Sequence, residues 1–185
     1  RPLSRGLGDV YKRQQICLAP DYVVVHKDQK DEFIKETKDA VSQYYPSLKD
    51  NEDYTSVINQ KHYDRLKDLL DDAIEKGAHV DEINPSNEDF SQQEFYKIPP
   101  TIVTNTTDDM KIMQEEIFGP LLPVVEYDEI GEATALINSK DKPLGLYYFG
   151  NNTAEENDLL NKTSSGGVTV NTVSYTHLRA HETMV

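Results

Sequence analysis

The chain has 185 residues, a formal net charge of −14, 37% hydrophobic side chains and 28% charged ones. That length suits one domain or part of one, and the acidic balance excludes nonspecific binding to nucleic acid or anionic lipid, which needs a basic face. No apolar run reaches the roughly 18 to 20 residues of a membrane span, the N-terminus lacks signal-peptide order, and the single cysteine allows no internal disulfide, so a cytoplasmic, reducing setting is expected.

Composition shifts at both ends. Residues 1–14 (RPLSRGLGDVYKRQ) carry four basic residues against one acid, and residues 173–185 (VSYTHLRAHETMV) hold two of the five histidines. Both stretches read as adapter or vector read-through, which leaves residues 15–172 as the body for fold reasoning.

Within the body, the β-branched run Asp21 to Lys27 (DYVVVHK) predicts a buried strand after Pro20. Phe33, Ile34, Thr37, Val41, Tyr44 and Tyr45 then recur at helical spacing until Pro46 stops them. From Gln60 to Lys76, residues Tyr63, Leu66, Leu69, Leu70, Ala73 and Ile74 form one apolar stripe, with Gly77 as its C-terminal cap. Asp81 to Glu94 reads as an acidic loop, and its stretch Asp81 to Asp89, without the ligand spacing and central glycine of a calcium loop, as a solvated connection. Pro99-Pro100 opens a short strand, Thr101 to Thr104, and a polar turn leads to Met110 to Ile117. The rest alternates: strand Leu121 to Glu126, helix Ile130 to Ser139, strand Leu144 to Phe149, helix Ala154 to Lys162, strand Gly167 to Val170. Such alternation predicts an α/β fold, a mostly parallel twisted sheet with flanking helices.

Three groups of residues could carry chemistry. Cys17 is the only thiol, and taken alone a free cysteine reads as a small buried hydrophobe. A nucleophilic role needs an activating environment, because an unperturbed thiol, pKa about 8.5, is largely protonated at neutral pH; the spacing of His26, His62 and His79 gives no sign that one converges on it. Met113 to Pro120 (MQEEIFGP) sets paired carboxylates before an aromatic and a Gly-Pro turn; it reads either as a helix end with solvated acids and a core Phe, or as an acid/base pair. Ser165 to Asn171 (SGGVTVN) reads as a tight turn whose glycines let backbones approach. The sequence has no GxGxxG, Walker loop, CxxC or HExxH, so no metal site is expected.

Taken in order, QICLAPDYVVVHK, VINQKHYDRLKDLL, PPTIVT, MQEEIFGPLLPVVEY, KPLGLYYFG and SGGVTVN closely resemble the aldehyde dehydrogenase superfamily, in its class 3 and coniferyl aldehyde dehydrogenase branch. The resemblance covers residues 15–172 and implies part of the catalytic domain. It implies that Cys17 is the nucleophile, adding to an aldehyde to give a thiohemiacetal and then a thioester that water cleaves to the acid. It further implies an NAD or NADP cofactor, with Glu116 on the nicotinamide ribose hydroxyls, Phe118 near the nicotinamide, and His62 or Arg65 toward the adenosine side. The carboxylate pair is thereby assigned to cofactor positioning rather than acid/base work. The family's general base lies in a Glu-Leu-Gly-Gly-Lys-type motif that this sequence does not contain, so the chain on its own is expected to be inactive. The resemblance also implies a homodimer or homotetramer for the parent protein. The alternatives are a relative acting on acyl-phosphate or acyl-CoA intermediates through the same cysteine chemistry, and a noncatalytic truncated module.

Overall fold

Strand β1 (Val23–His26) is where the apolar run of the sequence becomes ordered sheet, in a computed structural model that describes residues 18–91, 93 and 95–172. These residues fall into two compact units, with the boundary between Asp128 and Glu129.

In the first unit a short 3₁₀ turn, Lys27–Gln29, leads from β1 into helix α1 (Lys30–Tyr44). His26 caps that turn, its Nδ1 accepting from the Asp28 amide at 3.2 Å. Helix α2 (Gln60–Glu75) begins at Asn59, whose side chain accepts from the His62 amide at 3.0 Å. It ends at Gly77, which takes φ 94°, with Gly77 N donating to Ile74 O and Ala78 N to Ala73 O. That is a Schellman closure, in which the left-handed residue satisfies carbonyls the helix leaves open.

Strand β2 (His79–Glu82) follows, then β3 (Thr101–Thr104) and β4 (Leu121–Tyr127). The sheet order is β1-β4-β3-β2: β1 and β3 both run parallel to β4, and β2 runs antiparallel to β3. The mostly parallel expectation holds, with one antiparallel edge. That edge corrects the expected loop from Asp81 onward, because Asp81 and Glu82 are paired with Ile102 and Thr101. Strand β2 has one aliphatic residue, Val80, and is recruited by backbone pairing with fully buried β3, so side-chain pattern gives no warning of it.

Alternate residues of the sheet enter two separate cores. Ile102 and Val124 pack with Ile83 and with Phe33, Ile34 and Val41 of α1. Val103 and Leu121 pack with Leu66, Leu69 and Ala73 of α2 and with Met110, Ile112 and Ile117. A sheet covered on both faces is what continuous apolar strands require. Ile74, counted in the α2 stripe, is 52% exposed; on an ideal helix it stands about 80° from Leu66, at the rim of the buried face.

The second unit contains helix α3 (Ile130–Ser139), strand β5 (Gly145–Tyr148), helix α4 (Thr153–Lys162) and strand β6 (Gly167–Val170). Strands β5 and β6 pair in parallel, and Ile137, Tyr148 and Leu159 form the core beneath them. The glycine turn before β6 is a true close approach: a Cβ at Gly166 would lie 2.6 Å from the Leu144 carbonyl oxygen. Asn171, at φ 53°, closes the pair, its Oδ1 accepting from Gly150 N and its Nδ2 donating to Gly150 O, both at 2.9 Å.

Candidate functional site

Adjacent parallel strands place the segments that precede them at the same end of a sheet. Val23 pairs with Val124 and Thr101 with Leu121, so three lead-ins meet there: the one following Cys17, Pro99-Pro100, and the EEIFGP segment. Cys17 itself lies outside the described residues; Leu18, the first of them, is buried.

The contact that joins two of these lead-ins is made by Asp21. Its Oδ1 accepts from the Ile117 amide at 2.8 Å, across 96 positions of sequence. Arg65, on the second turn of α2, reaches the same place: Nη1 donates to the Glu116 carbonyl at 3.0 Å, and Nη2 donates to the Ile117 carbonyl. The amide of Ile117 and the carbonyl of Glu116 belong to one peptide unit, so a carboxylate and a guanidinium hold that unit by its two polar ends. Both bonds are charge-assisted, the stronger class of hydrogen bond.

The turn so held has a definite shape. Ile117 is 1% exposed and belongs to the α2 core, whereas Phe118 is 37% exposed and takes φ 49°. A non-glycine residue in that region costs about 1 kcal/mol or more and persists only where its surroundings fix it. Glu116 is exposed. The core Phe expected from composition is therefore replaced by its neighbour Ile117, and the expected helix end is a 3₁₀ turn, Lys111–Met113. Gly119 completes the seat, because a Cβ there would fall 2.6 Å from both δ carbons of Leu66.

Electrostatics at Asp21 follow from its position. Burial pushes its carboxyl above the ordinary carboxylate range, and the Glu116 charge adds to this; the Ile117 amide, Arg65 and the Phe118 amide oppose them. Burial likewise raises the Tyr22 hydroxyl, with Asp21 contributing.

Of the residues singled out from sequence, Arg65, Glu116 and Phe118 meet at this turn. His62 is exposed on the first turn of α2, one turn before Arg65. Asp21 is the functional residue that sequence reasoning misses, because it reads only as the start of the run Asp21 to Lys27; its signal is an acid directly ahead of an apolar strand and four positions after the lone thiol. Among the described residues no cluster of three or more His, Cys, Asp or Glu could hold a metal ion, and no helix is long and apolar enough to cross a membrane.

Comparison with known proteins agrees with this architecture. The model of the aldehyde dehydrogenase family matches residues 8–182. A probable coniferyl aldehyde dehydrogenase of Caulobacter vibrioides is 55% identical over 168 residues, covering 91% of this chain and 35% of that protein. Among solved structures, AldH of Staphylococcus aureus in its substrate-bound state superposes with a TM-score of 0.78 at 33% identity, covering 90% of this chain and 35% of that one. A 3,6-anhydro-L-galactose dehydrogenase in complex with NAP gives 0.74 at 26% identity, covering 93% and 38%. The chain thus spans about a third of the length of the relatives it matches, and it belongs to the aldehyde dehydrogenase family.

Proposed function

We propose that this chain supplies the nucleophile-bearing segment of an NAD(P)-dependent aldehyde dehydrogenase, with Cys17 as the nucleophile. The thiolate adds to the aldehyde carbon and forms a C–S bond; loss of hydride from that carbon turns the thiohemiacetal into a thioester, and water cleaves it to the carboxylic acid and free thiol. A bound nicotinamide would supply the hydride acceptor. The name of the Caulobacter vibrioides relative makes coniferaldehyde the first substrate to try.

The observation that carries the reading is the turn at residues 116–118, with two exposed side chains flanking a buried anchor beside the segment that follows Cys17. An exposed carboxylate such as Glu116 suits the paired hydroxyls of a ribose, to which it can only accept hydrogen bonds. The half-exposed Phe118 ring offers a flat apolar wall for a nicotinamide. His62, exposed at the start of α2, is the candidate for the adenosine side. Arg65, whose guanidinium is bonded to backbone carbonyls, reaches the cofactor mainly through the turn it holds.

The test is a full-length chimera in which residues 17–172 replace the aligned segment of the Caulobacter vibrioides relative. Coniferaldehyde should be converted to its acid with one NAD(P)H formed per turnover, while the chain alone forms none. A chimera that folds and binds cofactor but oxidises no aldehyde would refute the reading, and so would turnover by the chain alone.

A further inference from the structure

We propose that Asp21 and Arg65 are a pair of positioning residues, which set the cofactor-facing turn Glu116–Phe118 by gripping one peptide unit from both ends. The inference rests on the functional reading above and adds to it a role for Asp21, a residue with none in that reading, joined with Arg65 on the same peptide unit.

The geometry is specific. A peptide unit presents its N–H and its C=O on opposite edges. Here the N–H of Ile117 goes to Asp21 Oδ1 at 2.8 Å, and the C=O of Glu116 goes to Arg65 Nη1 at 3.0 Å, so the plane of that peptide cannot rotate without breaking one bond or the other. The second nitrogen of the guanidinium takes the next carbonyl, that of Ile117, and fixes the following unit as well. A forked, planar cation serves the two successive carbonyls from two nitrogens held in fixed geometry, whereas a lysine ammonium has no such fixed fork. With both units fixed, Phe118 is held at φ 49° and the side chains on either side of Ile117 stay at the surface.

Asp21 also has a sequence neighbour that matters. It lies four positions after Cys17, just before β1, so the group that holds the turn is anchored in the segment that bears the thiol. Burial raises the carboxyl and the Glu116 charge adds to this, while the Ile117 amide, Arg65 and the Phe118 amide oppose them, so the turn and α2 both act on the protonation of the group that holds them. The pair therefore ties the segment that follows Cys17, and α2, to the cofactor-facing turn.

The test uses the same chimera, with NAD+ affinity read by calorimetry and the backbone amide of residue 117 followed by hydrogen exchange, neither of which depends on turnover. Asp21→Ala removes the acceptor and should weaken NAD+ binding about tenfold or more, as loss of a hydrogen bond to a charged group does, and should speed exchange at residue 117. Asp21→Asn keeps a side-chain oxygen in place and should recover most of the affinity. Arg65→Lys keeps the charge but loses the fork, and should weaken NAD+ binding without the recovery seen for Asn at residue 21. Unchanged exchange at residue 117 in Asp21→Ala would overturn the grip. Faster exchange with unchanged NAD+ affinity would make the contacts structural only and would overturn the positioning role. An active chimera whose variants bind NAD+ normally sinks this inference alone; an inactive chimera whose variants still lose affinity sinks the functional reading alone.

Discussion

Replacing Gly119 by alanine is the sharpest test of how the 116–120 turn is seated on α2. A Cβ at that position would lie 2.6 Å from Leu66 Cδ1 and Cδ2, about an ångström inside normal carbon contact. Leu66 is 0% exposed and sits among Leu69, Val103, Ile117 and Leu121, so it cannot swing away into solvent. Overpacking of this kind costs about 1–3 kcal/mol. Leu66→Ala alone should cost about 2–5 kcal/mol, from lost burial and the cavity left behind. If the two groups share one space, the double variant removes the clash and part of the cavity together. Its cost should then fall short of the sum of the single costs by about 1 kcal/mol or more, a coupling typical of residues in contact. Urea unfolding of the four proteins measures all the terms. Strict additivity, or a Gly119→Ala variant as stable as the parent, would refute the seating described here.

Two further outcomes follow from particular contacts. Asp72 is held below the ordinary carboxylate range, first by the Lys111 amide at 2.8 Å and then by the Lys76 ammonium at 2.9 Å. A depressed folded value means that its contribution is fully present above the unfolded value of 3.8 and is lost as pH falls through the lower folded one. Asp72→Asn should accordingly destabilise near neutrality and converge with the parent in strong acid; parallel stability curves from neutrality to acid would contradict this. Asn171→Ala loses both bonds to Gly150 and places alanine at φ 53°, whereas Asn171→Gly loses the bonds but tolerates the conformation. In urea the alanine variant should be less stable than the glycine variant by about 1 kcal/mol, and the reverse order would refute the assignment.

The parts of the fold legible in the sequence are those where side chains repeat at a fixed period. The stripe on α2 marked Leu66, Leu69 and Ala73 as core, and the apolar runs marked β1, β3 and β4 as strands. Strand β2 is illegible because it is selected by pairing with its neighbour, and Ile74 is exposed although it keeps the helical period, because it stands at the rim of the stripe. At the site, motif order identified Glu116 and Phe118 as a group, but the exchange of Phe118 for Ile117 in the core depends on a backbone turn that residue type does not encode. The Asp21–Ile117 bond spans 96 positions, and a contact of that range follows from strand order rather than from any local pattern.

The central claim is that Cys17 carries the reacting carbon. Cys17→Ala in the full-length chimera, with the covalent state of residue 17 followed by mass spectrometry under single turnover with coniferaldehyde and NAD+, tests it directly. The parent should show a transient acyl adduct on the peptide containing Cys17, and the alanine variant should show neither adduct nor NADH. NADH formation that persists in Cys17→Ala, or an adduct on any other residue, would contradict it.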